Sequence, residues 1–133
     1  MDVLWSATDL ESGRSSAIER HSGIEELADH FTALRSRGRG YVEVRRPGSE
    51  FPLLTLGFQD NHAVIHVFGD AERSSLLIGD GTAASDASVH VPIMDDLVVF
   101  SGDLALDVDR AWITVHHFIR TGRPAELGEW REL

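Results

Sequence analysis

Seven histidines are the side chains of this sequence best suited to chemistry, and two pairs of them lie close together. His62 and His66 are four apart, the spacing at which two imidazoles grip one metal ion from the face of a helix. Their setting, HAVIHVF, is a β-branched and aromatic run that predicts a strand instead. On a strand, positions four apart share a face but stand about 13 Å from each other, too far to hold one ion. His116 and His117 adjoin on a predicted helix, where His116 borders the apolar arc beside Trp112 and His117 points nearly opposite its centre. The stretch GDGTAASD, residues 79–86, has the glycine and aspartate of a phosphate-binding or aspartyl phosphotransfer turn but no P-loop lysine. A hairpin turn needs the same composition. Asp95 and Asp96 adjoin in a turn, where neighbouring side chains diverge and form no acid and base pair. Ser12, Ser15, Ser16 and Ser22 sit in no G-x-S-x-G elbow, and the chain has no cysteine to act as nucleophile, thiolate ligand or disulfide partner. The expectation is a protein with no catalytic residues, no metal and no cofactor.

The elements that position these residues are legible from periodicity. Residues 1–133 suit one domain with one core. VLWSAT alternates as a strand, Asp9 to Gly13 has turn composition, and residues 14–19 are expected to complete a hairpin. Ser22 and Glu25 have the spacing of a capping box, ahead of a helix whose stripe is Ile24, Leu27, Ala28, Phe31 and Leu34 and which ends near Gly38. From Tyr41 to Ser101 the pattern shortens into YVEVRR, LLTLGF, HAVIHVF, SLLIGD, SVHVP and LVVFS, joined by turns, which predicts an antiparallel meander. LLTLGF and LVVFS are apolar on both faces, so both are expected inside a sheet covered by helix. Asp107 caps a second helix to Thr121, with Val108, Ala111, Trp112, Val115, Phe118 and Ile119 on one arc. Gly122 suits the left-handed position that ends it, Pro124 prevents continuation, and Trp130 enters a last short strand. The fold class is α+β: a meander-like antiparallel sheet of roughly six to eight strands with two helices packed on it.

Charge is spread unevenly. Residues 51–110 hold ten acids against Arg73 and Arg110, a net -8 out of -10 for the whole chain. Such a surface repels nucleic-acid backbones and anionic lipid and attracts a basic partner. No run approaches the ~20 apolar residues of a membrane span. The opening MDVLWSATDLESG carries Asp2 where a secretory leader carries basic residues, so a cytoplasmic location is expected.

The run DLVVFSGDLALDVDRAWITVHHFIRTGRPAELGEWREL resembles the closing module of immunity protein family one, the antidotes of bacterial polymorphic toxin systems. In that family a helix ends in an aromatic residue, followed by a Thr-Gly pair, a proline and then a Trp with an acid after it. Phe118, Thr121, Gly122, Pro124, Trp130 and Glu132 stand at those positions, and VLWSATDLESG, LTLGF and SLLIGDG resemble the first half. The resemblance implies an antidote that binds a cognate toxin domain, a nuclease or a nucleic-acid deaminase, and performs no reaction of its own. Trp112, Phe118, Gly122, Pro124 and Trp130 then read as residues that close the fold. The candidate toxin-binding residues are the acids of the turns, Asp60, Asp70, Glu72, Asp80, Asp86, Asp95 and Asp96. Alternate turns of a meander gather at one end, so several of these acids are expected to form one negative rim. A second reading, a regulatory or small-ligand-binding domain, requires a deep apolar pocket with convergent polar groups.

Overall fold

In the computed structural model, which describes residues 1–133, the chain opens with β1 (Asp2–Ala7), whose alternation buries Val3, Trp5 and Ala7. Its hairpin partner is β2 (Arg20–Gly23), not residues 14–19, of which only Ser15 bridges back, to Thr8. The later pairing wins because it satisfies Trp5. The buried indole N–H donates to Ser22 Oγ at 2.9 Å and the Arg20 guanidinium lies 4.9 Å over the ring. Ser22 is thereby spent. The expected capping box with Glu25 does not form, and α1 (Ile24–Arg37) starts from Gly23 with no side-chain cap. Its stripe buries Ile24, Leu27, Phe31 and Leu34, and Gly38 ends it in the left-handed region at φ 87°.

Four strands follow as the expected meander: β3 (Arg39–Arg45), β4 (Leu53–Gln59), β5 (His62–Phe68) and β6 (Ser74–Leu77). Beyond β6 the chain departs from a simple meander. β7 (Ser88–Ile93) and β8 (Asp96–Ser101) pair only with each other and form a separate two-stranded hairpin. The short β9 (Leu106–Asp107) returns beside the first residues of β5, a place that β6 has already left. The last strand, β10 (Trp130–Glu132), extends the sheet on the outer side of β6. The main sheet thus has eight strands, in the order β10, β6, β5, β4, β3, β1, β2, with β9 off β5.

The two faces of this sheet are covered by different things. One carries α1 and α2 (Val108–Thr121), which meet through Phe31 and Trp112, stacked at 4.6 Å. Asp107 caps α2 as expected, accepting from the amides of Asp109 and Arg110. The other face carries the hairpin: Val89 and Val91 join Val64, Leu76, Leu104 and Ala105 in a second, smaller core. Gly57 makes this possible, since a side chain there would run into the carbonyl of Pro92. LLTLGF is therefore buried on both faces as expected, between helices and hairpin. LVVFS is not: β8 lies on the outside, with Leu97 and Val99 exposed. No helix is long and apolar enough to cross a membrane.

After α2, Gly122 takes φ 67° with its amide bonded to the carbonyl of Phe118. A Cβ at this glycine would collide with the guanidinium of Arg46, which reaches over from the β3–β4 connection and donates to the Thr121 carbonyl. Pro124 starts a short 3-10 turn, and its carbonyl accepts from the indole of Trp130 at 2.9 Å. Trp130 is half-buried against the main core. The Gly-x-Pro segment and the Trp are thus one unit that pins the chain end to β6.

Candidate functional site

The acids singled out from the sequence do not all share one rim: alternate turns bring Asp60 and Asp80 to one end, as expected, and leave Asp70 and Glu72 at the other. Asp60, in the β4–β5 turn, sits beside Gly38, whose carbonyl accepts its amide. Asp80 lies at the same end, where one carboxylate oxygen accepts from the Thr82 amide and the other from the Asp107 amide, tying its loop to the entry of α2. Asp70 and Glu72 occupy the β5–β6 turn at the far end, and Asp70 accepts from the amides of Glu72 and Arg73. Asp86 stands in the loop at the base of the hairpin, and Asp95 and Asp96 stand at its tip. Asp95 accepts from the Ser15 amide at 2.7 Å, fastening the tip to the β1–β2 connection. Three of the seven, Asp70, Asp80 and Asp95, thus hold backbone amides in their turns. Asp60, Glu72, Asp86 and Asp96 are exposed without such a task.

The hairpin tip also borders a polar cleft of about 150 Å³, lined by Asp9, Arg37, Arg39, Met94, Asp95 and Leu97 among others. A larger depression of about 450 Å³ runs between α2 and the end of β6, past Ile78, Asp80, Arg110 and Ile113, and is open to solvent. Neither has the enclosed apolar walls of a small-molecule pocket.

The histidines singled out from the sequence occupy three separate environments. His62 faces no second ligand, and no three His, Asp or Glu side chains converge as a metal site requires. His66 is half-buried between Phe68 and Phe100, ring centroids 6.2 Å and 5.7 Å away, and its Nδ1 has no hydrogen-bond partner. Burial there holds its pKa below the ordinary histidine value. His116 and His117 come closer than the helical wheel implies: both border a shallow groove with Trp112, Ile113 and Arg120, and Arg120 reaches His117 Nδ1 at 2.9 Å. No carboxylate lines that groove. Tyr41, whose hydroxyl donates to Glu43 at 2.7 Å, is kept protonated far above its usual range by burial and by that carboxylate. It is a core contact, hydrogen-bonded in place.

The resemblance residues are structural in their contacts. Phe118 is fully buried, Trp112 stacks between helices, and Gly122, Pro124 and Trp130 form the closing unit described above. What sequence patterning missed is the outward face of the hairpin, where Met94, Leu97 and Val99 are exposed together. Pro92 within SVHVP was the available signal, since proline marks a strand whose neighbour lies on one side only.

Fold and surface define an α+β protein whose sheet is covered by two helices on one face and by an acid-tipped hairpin on the other. Compared with known protein families and with curated proteins, the chain matches none.

Proposed function

We propose that the protein is an immunity protein, which binds and neutralises a cognate polymorphic toxin domain, a nuclease or nucleic-acid deaminase, in the cytoplasm of the producing bacterium. The observation that carries this reading is the net -8 of residues 51–110, displayed by exposed Asp60, Asp70, Glu72, Asp86, Asp95 and Asp96. A domain that processes nucleic acid must itself be basic where the phosphates pass, so an acidic surface is complementary to the site that needs covering. Inhibition by occlusion asks for shape and charge and for no reacting group. The likeness of Phe118, Thr121, Gly122, Pro124, Trp130 and Glu132 to the family's closing motif agrees with it.

The test is co-expression with the C-terminal domain encoded by the adjacent gene. A stable complex is expected, with toxin activity lost in proportion to the protein added and abolished at one equivalent. Separate elution of the two chains with toxin activity unchanged would overturn the reading.

A further inference from the structure

We propose that the outer edge of β8 is a docking edge, which takes a basic, extended segment of the partner protein as a third strand of the hairpin. The identity of the partner rests on the antidote reading above; the edge itself rests on geometry. Only Met94 and Asp95 separate the paired residues Ile93 and Asp96. In a two-residue turn that flanking pair exchanges its backbone hydrogen bonds, and the pairs then alternate along the hairpin. Val91 with Val98 and Val89 with Phe100 are therefore bonded pairs, while Pro92, which has no N–H, stands opposite Leu97 where none is exchanged. The N–H and C=O groups of Leu97, Val99 and Ser101 point away from β7. No backbone group elsewhere in the protein reaches them, and β8 pairs with no other strand.

The side chains make this edge attractive to a strand. Val98 and Phe100 share the inward face with Val91 and Val89, so Leu97 and Val99 face out and are 49% and 55% exposed, beside Met94 at 56%. The six pairs run without a bulge, and β8 carries no lysine or proline. Those are the usual devices that keep an edge from recruiting another chain. Charge selects the occupant. Residues 79–109 contain seven aspartates and no arginine, with Asp95 and Asp96 at one end of β8, while Asp103, just beyond the other, is already paired with Arg131 at 2.8 Å. A strand alternating basic and apolar residues meets the exposed carboxylates of Asp95 and Asp96 at one end and the apolar side chains of Leu97 and Val99 beyond them.

The experiment is amide hydrogen exchange on isotope-labelled protein, free and with an arginine–valine alternating heptapeptide, using a glutamate–valine heptapeptide as control. In the free protein the amides of Leu97, Val99 and Ser101 should exchange fast and those of Val98 and Phe100 slowly. The arginine peptide should slow the three outward amides, and the glutamate peptide should leave them unchanged. Val99→Pro removes an N–H that nothing in the protein accepts, and should weaken peptide binding by at least about tenfold with the melting midpoint nearly kept. Val99→Arg leaves the backbone whole and repels a basic strand, so it should weaken binding too. Fast exchange at all three amides with the arginine peptide overturns the proposal, and so does concentration-dependent protection without peptide, which would mean a second copy. With the adjacent gene's domain, a complex that leaves these amides fast overturns the edge and spares the antidote reading. No complex, with the arginine peptide still protecting β8, supports the edge and overturns the antidote reading.

Discussion

Trp5 and Trp130 show how differently one residue type can serve. Trp5 is fully buried, with its indole on Ser22, so Trp5→Ala removes a core aromatic and should cost ~3–5 kcal/mol. Trp130 is only half-buried, with its bond to Pro124 as its chief polar tie. Trp130→Ala should cost about 1–3 kcal/mol in chemical denaturation, mostly lost area and one hydrogen bond. Equal losses for the two variants would contradict this ranking. His66 gives a residue-scale pH dependence. Its pKa is depressed by burial in the folded chain, while in the unfolded chain it titrates near ~6.5. Between the two values the unfolded state binds the extra proton, so this contribution to stability is full above the unfolded pKa and is lost as pH falls through the folded one. Denaturation midpoints should drop from pH 7 towards pH 5, and His66→Phe should flatten that slope. An unchanged slope would contradict this assignment.

At the scale of elements, the hairpin is held to the sheet by a close approach that only glycine allows. Gly57→Ala would press a methyl group into the Pro92 carbonyl, so the β7–β8 hairpin must lift or β4 must bow. The expected result is a loss of about 1–3 kcal/mol together with faster amide exchange in β7, while the exchange of β3 and α1 is unchanged. Uniform acceleration through all elements would instead mean that hairpin and sheet open as one unit. Helix α2 was legible before folding was considered, from Asp107 through its stripe to Gly122, because capping and a 3.6-residue period are local properties. The Ser22 capping box was equally plausible on spacing and did not form. The same hydroxyl is worth more to a buried indole than to an exposed helix end.

For the whole molecule, the exposed acids with no internal task should govern the rate at which a basic partner arrives. Changing Asp60, Asp86 and Asp96 together to Asn leaves every turn-holding carboxylate in place. If the protein is an antidote, toxin capture by this variant should slow several-fold, roughly tenfold at low ionic strength, with a flatter salt dependence. Stopped-flow association at two salt concentrations measures it, and equal rates and slopes for variant and wild type would place the interface elsewhere. The sequence alone determined both helices and where they end, strand β1 and the strands from β3 to β8, and that the excess negative charge lies between residues 51 and 110. Only the tertiary structure decided that β2 lies at Arg20–Gly23, that Asp95 reaches the Ser15 amide, and that β7 and β8 leave the meander to lie across the second face. The reason is physical. Alternation sets which side of a strand is apolar, but the same pattern suits a strand within a sheet and a strand stacked on one. The choice is made by groups distant in sequence, here the bare backbone of Gly57 and the apolar face of β5 that the hairpin covers.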